Sequence, residues 1–185
     1  MIIDKLTCVD LVVDITQEML DETTTERWLV RSRISGGEAA NWAKQNIDQK
    51  LKLIELRGKK IILAFYPADW SPVCSDQMAL YNEMLKIFSR HNAQLLGISV
   101  DSKWCHLAFA ESHKFHFPLL ADFEPKGAIA KLYEVYDEKE GECRRGLYVL
   151  DDKGFIQWNY LSPVGVNPGA DGILGALEDL DKSKQ

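Results

Sequence analysis

The sequence predicts an α/β domain with a mixed central sheet flanked by helices, and three observations carry that expectation. Short apolar runs alternate with amphipathic stretches of helical length through the middle of the chain. Late in the chain the pattern changes to strand, tight turn, strand, and a last helical stretch follows. Alternation of the first kind means βαβ units and parallel strands. A hairpin adds antiparallel strands to the same sheet.

The elements follow in order. "KKIILAFY", 59–66, is an Ile-rich apolar run and reads as a buried central strand. In the stretch after it Met78, Tyr81, Leu85 and Phe88 form the stripe of an amphipathic helix. Ser71 suits its N-cap and Pro72 its first position. "QLLGISVD", 94–101, is a second strand, and "SKWCHLAFAESHK", 102–114, a second helix capped by Ser102. "HFPLLAD" gives a short third strand, and "EPKGAIAKLYEVY", 124–136, a third helix with Pro125 near its first turn. "RGLYVLDDKGFIQWNYL", 145–161, is the hairpin, and "NPGADGILGALEDL", 167–180, the closing helix. Upstream, "QNIDQKLKLIEL", 45–56, reads as a strand pair or a strand leading into "RGKK". This organisation is thioredoxin-like. It places the domain at 35–185 and leaves 1–34 as an acidic N-terminal extension. There "TCVDLVVDI" fits a strand and a helix stripe equally.

Composition bounds the function. The chain has 185 residues and is 46% hydrophobic, enough apolar mass for one real core. Seven of the 28 acids but one of the 22 bases fall in residues 1–26, so the rest of the chain is balanced. With no basic stripe, nucleic-acid binding is not expected. No apolar run reaches membrane-spanning length, and the start lacks the basic and apolar regions of a signal peptide. The expected location is therefore cytoplasmic, with no membrane partner. Trp28, Trp42, Trp104 and Trp158 are expected in the core or an interface.

The four cysteines, Cys8, Cys74, Cys105 and Cys143, include no Cys-x-x-Cys pair. In a reducing compartment a disulfide framework is not expected, and no Cys or His pair has metal-site spacing. No metal or cofactor is implied. Cys74 is the informative one. It lies in the first turn of the first long helix, close to free backbone N–H groups and the positive end of the helix dipole. Both favour thiolate over thiol. Lowering a cysteine pKa by about two units takes about 2.7 kcal/mol, and the dipole supplies about 0.3–1 kcal/mol. Hydrogen bonds and a cation must provide the rest. Ser71 offers a hydroxyl, and Arg145, at the start of the hairpin, a cation. On the residues alone two readings stay open, a primed nucleophile and a small buried hydrophobe.

"FYPADWSPVC" resembles the active-site segment of the peroxiredoxins, the alkyl hydroperoxide reductase/thiol-specific antioxidant family, whose Pro, Ser/Thr and Cys fall here on Pro67, Ser71 and Cys74. The likeness continues in order through "GISVDSKWCHLAF", "FPLLAD" and "RGLYVLDDKG", and covers about residues 37–180. The resemblance implies a thiol-dependent peroxidase. Cys74 would attack hydrogen peroxide or an organic hydroperoxide and become a sulfenic acid. Arg145 would hold the thiolate and the developing charge, Ser71 would hydrogen-bond peroxide and sulfur, and Pro67 would wall the pocket. Arg144 competes for that role, but strand alternation sends it to the opposite face. The chain departs from the family pattern at Ala40, Asn41 and Trp42, at Trp70 in place of Phe, and at Gln77, where many members carry a Glu that steadies the arginine.

The sulfenic acid must be reduced. The chain carries no cysteine near its last residues, and position 79, five after Cys74, is Ala. Cys105 is the possible resolving thiol; Cys143 and Cys8 have less to support them. One-cysteine chemistry with an external thiol or thioredoxin-type reductant is expected, and a Cys74–Cys105 disulfide is the alternative. A homodimer is expected through the loop that carries Trp70. The competing function is a non-enzymatic redox sensor or binding module on the same fold.

Overall fold

The computed structural model describes residues 51–183 and, beyond them, the backbone at 11–12 and 29–30. Cys8, Trp28 and Trp42, and most of the proposed extension 1–34, lie outside the described residues. The strands are β1 (Leu11–Val12), β2 (Leu29–Val30), β3 (Leu51–Lys52), β4 (Lys60–Phe65), β5 (Ala93–Ser99), β6 (Leu119–Ala121), β7 (Tyr136–Asp137), β8 (Glu142–Cys143), β9 (Arg145–Leu150) and β10 (Ile156–Ser162). The helices are α1 (Pro72–Arg90), α2 (Lys103–His113), α3 (Ala128–Leu132) and α4 (Asp171–Lys182), with a 3₁₀ turn at Leu53–Leu56.

The main sheet has the order β10-β9-β4-β5-β6-β2. The pairs β4/β5 and β5/β6 are parallel, whereas β9 runs antiparallel to both β4 and β10. The sheet is therefore mixed, as the change of pattern along the chain predicts. β4 is its centre. Ile62 lies opposite Leu95 on one side and Val149 on the other, and all six of its residues are buried. Side chains of β4 alternate between two apolar layers. Ile62 and Ala64 meet Met78, Tyr81 and Phe88 of α1, Phe109 of α2 and Ile173 and Leu177 of α4. Ile61, Leu63 and Phe65 face Leu53 and Leu56 of the 3₁₀ turn and Ile129 of α3.

One expectation needs correction. The helix expected over 124–136 is confined to Ala128–Leu132. Gly127 takes a left-handed backbone (φ 67°), and the Asp122 carboxylate caps the amides of Ile129 and Ala130 at 3.0 and 2.8 Å. Helix therefore begins after Gly127 rather than at Pro125. Of the segment 45–56, residues 51–56 are described, as a two-residue strand followed by the 3₁₀ turn that leads into "RGKK". Trp104 is exposed on the single chain, with Lys103 Nζ 5.8 Å from its ring centre, and Trp158 is half-buried against α4.

Candidate active site

β4 ends at Phe65, and residues 66–71 carry the chain from the sheet into α1. Pro67 is buried at the start of this loop, and Ser71 occupies the N-cap of α1. The Ser71 side chain caps no amide; its carbonyl accepts the Ser75 N–H at 2.8 Å. Pro72 fills the first helical turn, where its missing N–H costs nothing. Cys74 is therefore the third residue of the helix, fully buried, close to the free amides of the helix start.

The hairpin strand β9 brings Arg145 to the same place. The residue is 1% exposed, and its Nη2 lies 3.5 Å from Cys74 Sγ. Nε and Nη2 both donate to the Val164 carbonyl, at 3.1 and 2.8 Å, and Nη1 donates to Gln77 Oε1. Gln77 sits one turn after Cys74 on the same helix face. Its amide nitrogen donates to the Tyr81 hydroxyl at 3.2 Å, which donates onward to the Gly169 carbonyl at 3.0 Å. Burial pushes the Tyr81 phenol up to about 12, so it stays a donor. Among the described residues no carboxylate reaches the Arg145 guanidinium. A buried cation held by neutral acceptors is costly unless an anion joins it, and the Cys74 sulfur is the neighbour that can carry negative charge. Arg144 is exposed, as alternation along the strand requires.

A second polar cluster lies behind the loop. The Asp69 carboxylate accepts the Tyr66 hydroxyl at 2.7 Å and meets His106 Nδ1 at 2.8 Å. The Asp69 amide donates to Asp101 Oδ2 at 2.8 Å, which also accepts the Ser99 hydroxyl at 2.6 Å. Cys105 borders this cluster. Partial burial, and then the Asp69 and Asp101 carboxylates, push its thiol up to about 12. Sequence reasoning weighed Cys105 by spacing and missed Asp69 and His106. The one signal for them is that "FYPADW" sets an acid in an apolar loop and "DSKWCHLAF" sets a histidine on the inner face of α2. Ligand atoms of Asp69, Asp101 and Cys105 lie within 4.8 Å of one another. Internal donors already occupy both Asp69 oxygens and Asp101 Oδ2, so the cluster reads as a structural network rather than a cation site.

The sequence profile of the AhpC/TSA family matches residues 36–159. The chain belongs to the AhpC/TSA family, the peroxiredoxins. It is similar to peroxiredoxin-1 of Gekko japonicus, 34% identical over 137 residues, covering 70% of this chain and 68% of that one. It is also similar to peroxiredoxin 2 of Thermoplasma acidophilum, 28% identical over 151 residues and covering 78% and 75% of the two chains. Among solved structures, the mitochondrial 2-Cys peroxiredoxin from Plasmodium falciparum superposes with a TM-score of 0.67 at 27% identity, over 77% of this chain and 89% of that one. The fold is thus the thioredoxin-like peroxiredoxin fold, and the activity of the chain is that of a thiol-dependent peroxidase. Peroxiredoxin membership does not favour a non-enzymatic role.

Proposed function

We propose that Cys74 is the peroxidatic thiolate of this peroxiredoxin and that Arg145, Ser71 and Pro67 complete its pocket. The observation that carries the assignment is the buried contact between Arg145 Nη2 and Cys74 Sγ at 3.5 Å. The thiolate attacks the terminal oxygen of hydrogen peroxide or an organic hydroperoxide, and the O–O bond breaks. Sulfur gives up two electrons and keeps the hydroxyl as a sulfenic acid; the alkoxide or hydroxide leaves and takes a proton from solvent. Negative charge shifts from sulfur to the leaving oxygen in this step, and the Arg145 guanidinium is fixed where it faces both. The Ser71 hydroxyl, not spent on capping, is available to the peroxide. Pro67 offers no N–H and walls the base of the pocket.

An external thiol or thioredoxin-type protein reduces the sulfenic acid in this reading. Cys105 supports it by its chemistry: a thiol pushed up to about 12 is a poor attacking group at neutral pH. The same reading takes the protein as a homodimer in the cytoplasm, joined through the loop bearing Trp70, a residue 49% exposed. Sedimentation equilibrium of the wild type and Trp70→Ala tests the dimer; a monomeric wild type ends that part. The chemistry is tested by following peroxide loss with dithiothreitol as reductant. Wild type should consume peroxide far faster than free cysteine, and Cys74→Ser should not; full activity in Cys74→Ser would reject the site. Mass spectrometry after one equivalent of peroxide should find a trappable sulfenic acid on Cys74. A Cys74–Cys105 disulfide would instead establish the two-cysteine route.

A further inference from the structure

The loop that delivers Cys74 is irregular, and its rigidity has to come from side chains. Asp69 is its buried acid, 6% exposed, and it is tied three ways: to Tyr66 at 2.7 Å, to His106 Nδ1 at 2.8 Å, and through its own amide to Asp101 at 2.8 Å. Trp70, the next residue, has φ 65°, and its ring packs on Phe109 at 5.2 Å and His113 at 5.7 Å. Those two residues lie on α2, the helix that carries His106. Two successive loop residues are thus fastened to one helix, immediately before Ser71 and α1. We propose that His106 is a positioning residue for Cys74: by holding Asp69 against α2 it fixes the loop that presents the thiol.

The geometry also indicates the form in which His106 works. A carboxylate oxygen accepts, so the 2.8 Å contact with Asp69 assigns a proton to Nδ1. Nε2 is buried and faces the Leu120 carbonyl short of full hydrogen-bond geometry. A bare lone pair there would face another lone pair, whereas an N–H would be attracted. The groups around the ring come from several elements. Tyr66 and Asp69 come from the loop, Asp101 from the end of β5, Cys105 from α2 and the Leu120 carbonyl from β6. Burial opposes the charged ring, but the Asp69 and Asp101 charges and these hydrogen bonds outweigh it, and the pKa is raised. With a folded pKa above the unfolded value of about 6.5, the charge that reinforces the tie is fully present below that pH and is lost as pH rises through the folded value, leaving a neutral Nδ1–H donor. Deprotonating a thiol only strengthens it as a nucleophile. A fall in reactivity on the alkaline side therefore has a different origin from the thiol. Tyr66 titrates well above 10, and Cys105 at about 12.

This inference rests on Cys74 being the reacting thiol, and Cys74→Ser, which tests that reading alone, is run beside it. The experiment measures the second-order rate constant for oxidation of Cys74 by hydrogen peroxide from pH 6 to 10 by stopped flow. The wild-type constant should fall about tenfold or more on the alkaline side, since misplacing a reacting group by about 1 Å can cost about a hundredfold. The midpoint of the fall should match the His106 imidazole titration seen by NMR. His106→Asn keeps a donor toward Asp69 without the charge, and should give a lower rate with no alkaline fall. Asp69→Asn, which removes the ionic partner from the other side, should do the same if His106→Asn does not fold. A wild-type constant that stays level to pH 10, or an alkaline fall unchanged in either variant, overturns the proposal while leaving Cys74 as the peroxidatic residue.

Discussion

Arg145 and Cys74, 71 residues apart in the chain, meet in the core at 3.5 Å between Nη2 and Sγ. The guanidinium is held there by the Val164 carbonyl and Gln77, and the thiol by the first turn of α1. Each side chain is fixed by its own element, so the pair is preorganised before peroxide arrives.

Arg145→Lys should lower kcat/KM for hydrogen peroxide by about 100-fold, the usual cost of losing a preorganised charge stabiliser. A lysine cannot span Val164, Gln77 and Cys74 together, because it presents one compact ammonium in place of a planar fork. Steady-state assays with dithiothreitol check this; activity within a factor of about two of wild type would show that charge alone suffices.

Gln77→Leu should destabilise the reduced protein by about 1–3 kcal/mol in urea, because a buried guanidinium N–H loses its acceptor. Tyr81 loses its donor in the same step. An unchanged denaturation midpoint would mean that Arg145 finds another acceptor.

Gly146→Ala should impair both stability and activity. A Cβ at this position would lie 2.6 Å from Val135 Cγ1, so Val135 or β9 must shift at the residue next to Arg145. Overpacking of this kind costs about 1–3 kcal/mol, and the displacement reaches the guanidinium. Thermal unfolding and kcat/KM should fall together; a loss of stability with full activity would show that Arg145 is insulated from the strand.

Cys105 should remain unlabelled when iodoacetamide has consumed Cys74 at pH 8, because a thiol pushed up to about 12 is almost entirely protonated there. Its reactivity should emerge only as pH rises toward that value. Peptide mapping by mass spectrometry reads both sites at once. Cys105→Ser should keep dithiothreitol-dependent turnover, and loss of turnover would assign Cys105 the resolving role.

Much of the site is legible along the chain because its parts are local. Pro67, Ser71 and Cys74 fall within one loop and one helix turn, and Arg145 differs from Arg144 by strand alternation alone. The companions of the pair were harder to read. Gln77 is visible as a substitution, but its link through Tyr81 to Gly169 depends on how the segment after β10 folds back over α1. Asp69 and His106 lie 37 residues apart on a loop and a helix, and nothing in either stretch shows that they touch. The over-long helix at 124–136 fails for a related reason. Its apolar spacing is sound, but Gly127 is left-handed with the Tyr136 ring against it, and Asp122 caps the amides beyond.

The sequence by itself determined the order of strands and helices, the change from parallel to antiparallel pairing, and the thiol at a helix start. These follow from apolar periodicity and capping, which act over a few residues. Only the tertiary structure decided what holds the Arg145 cation beside the thiol and what braces the loop beneath it. Those are contacts between elements far apart in the chain, and they exist because the sheet order brings β4, β5 and β9 side by side with α1 and α2 packed on one face.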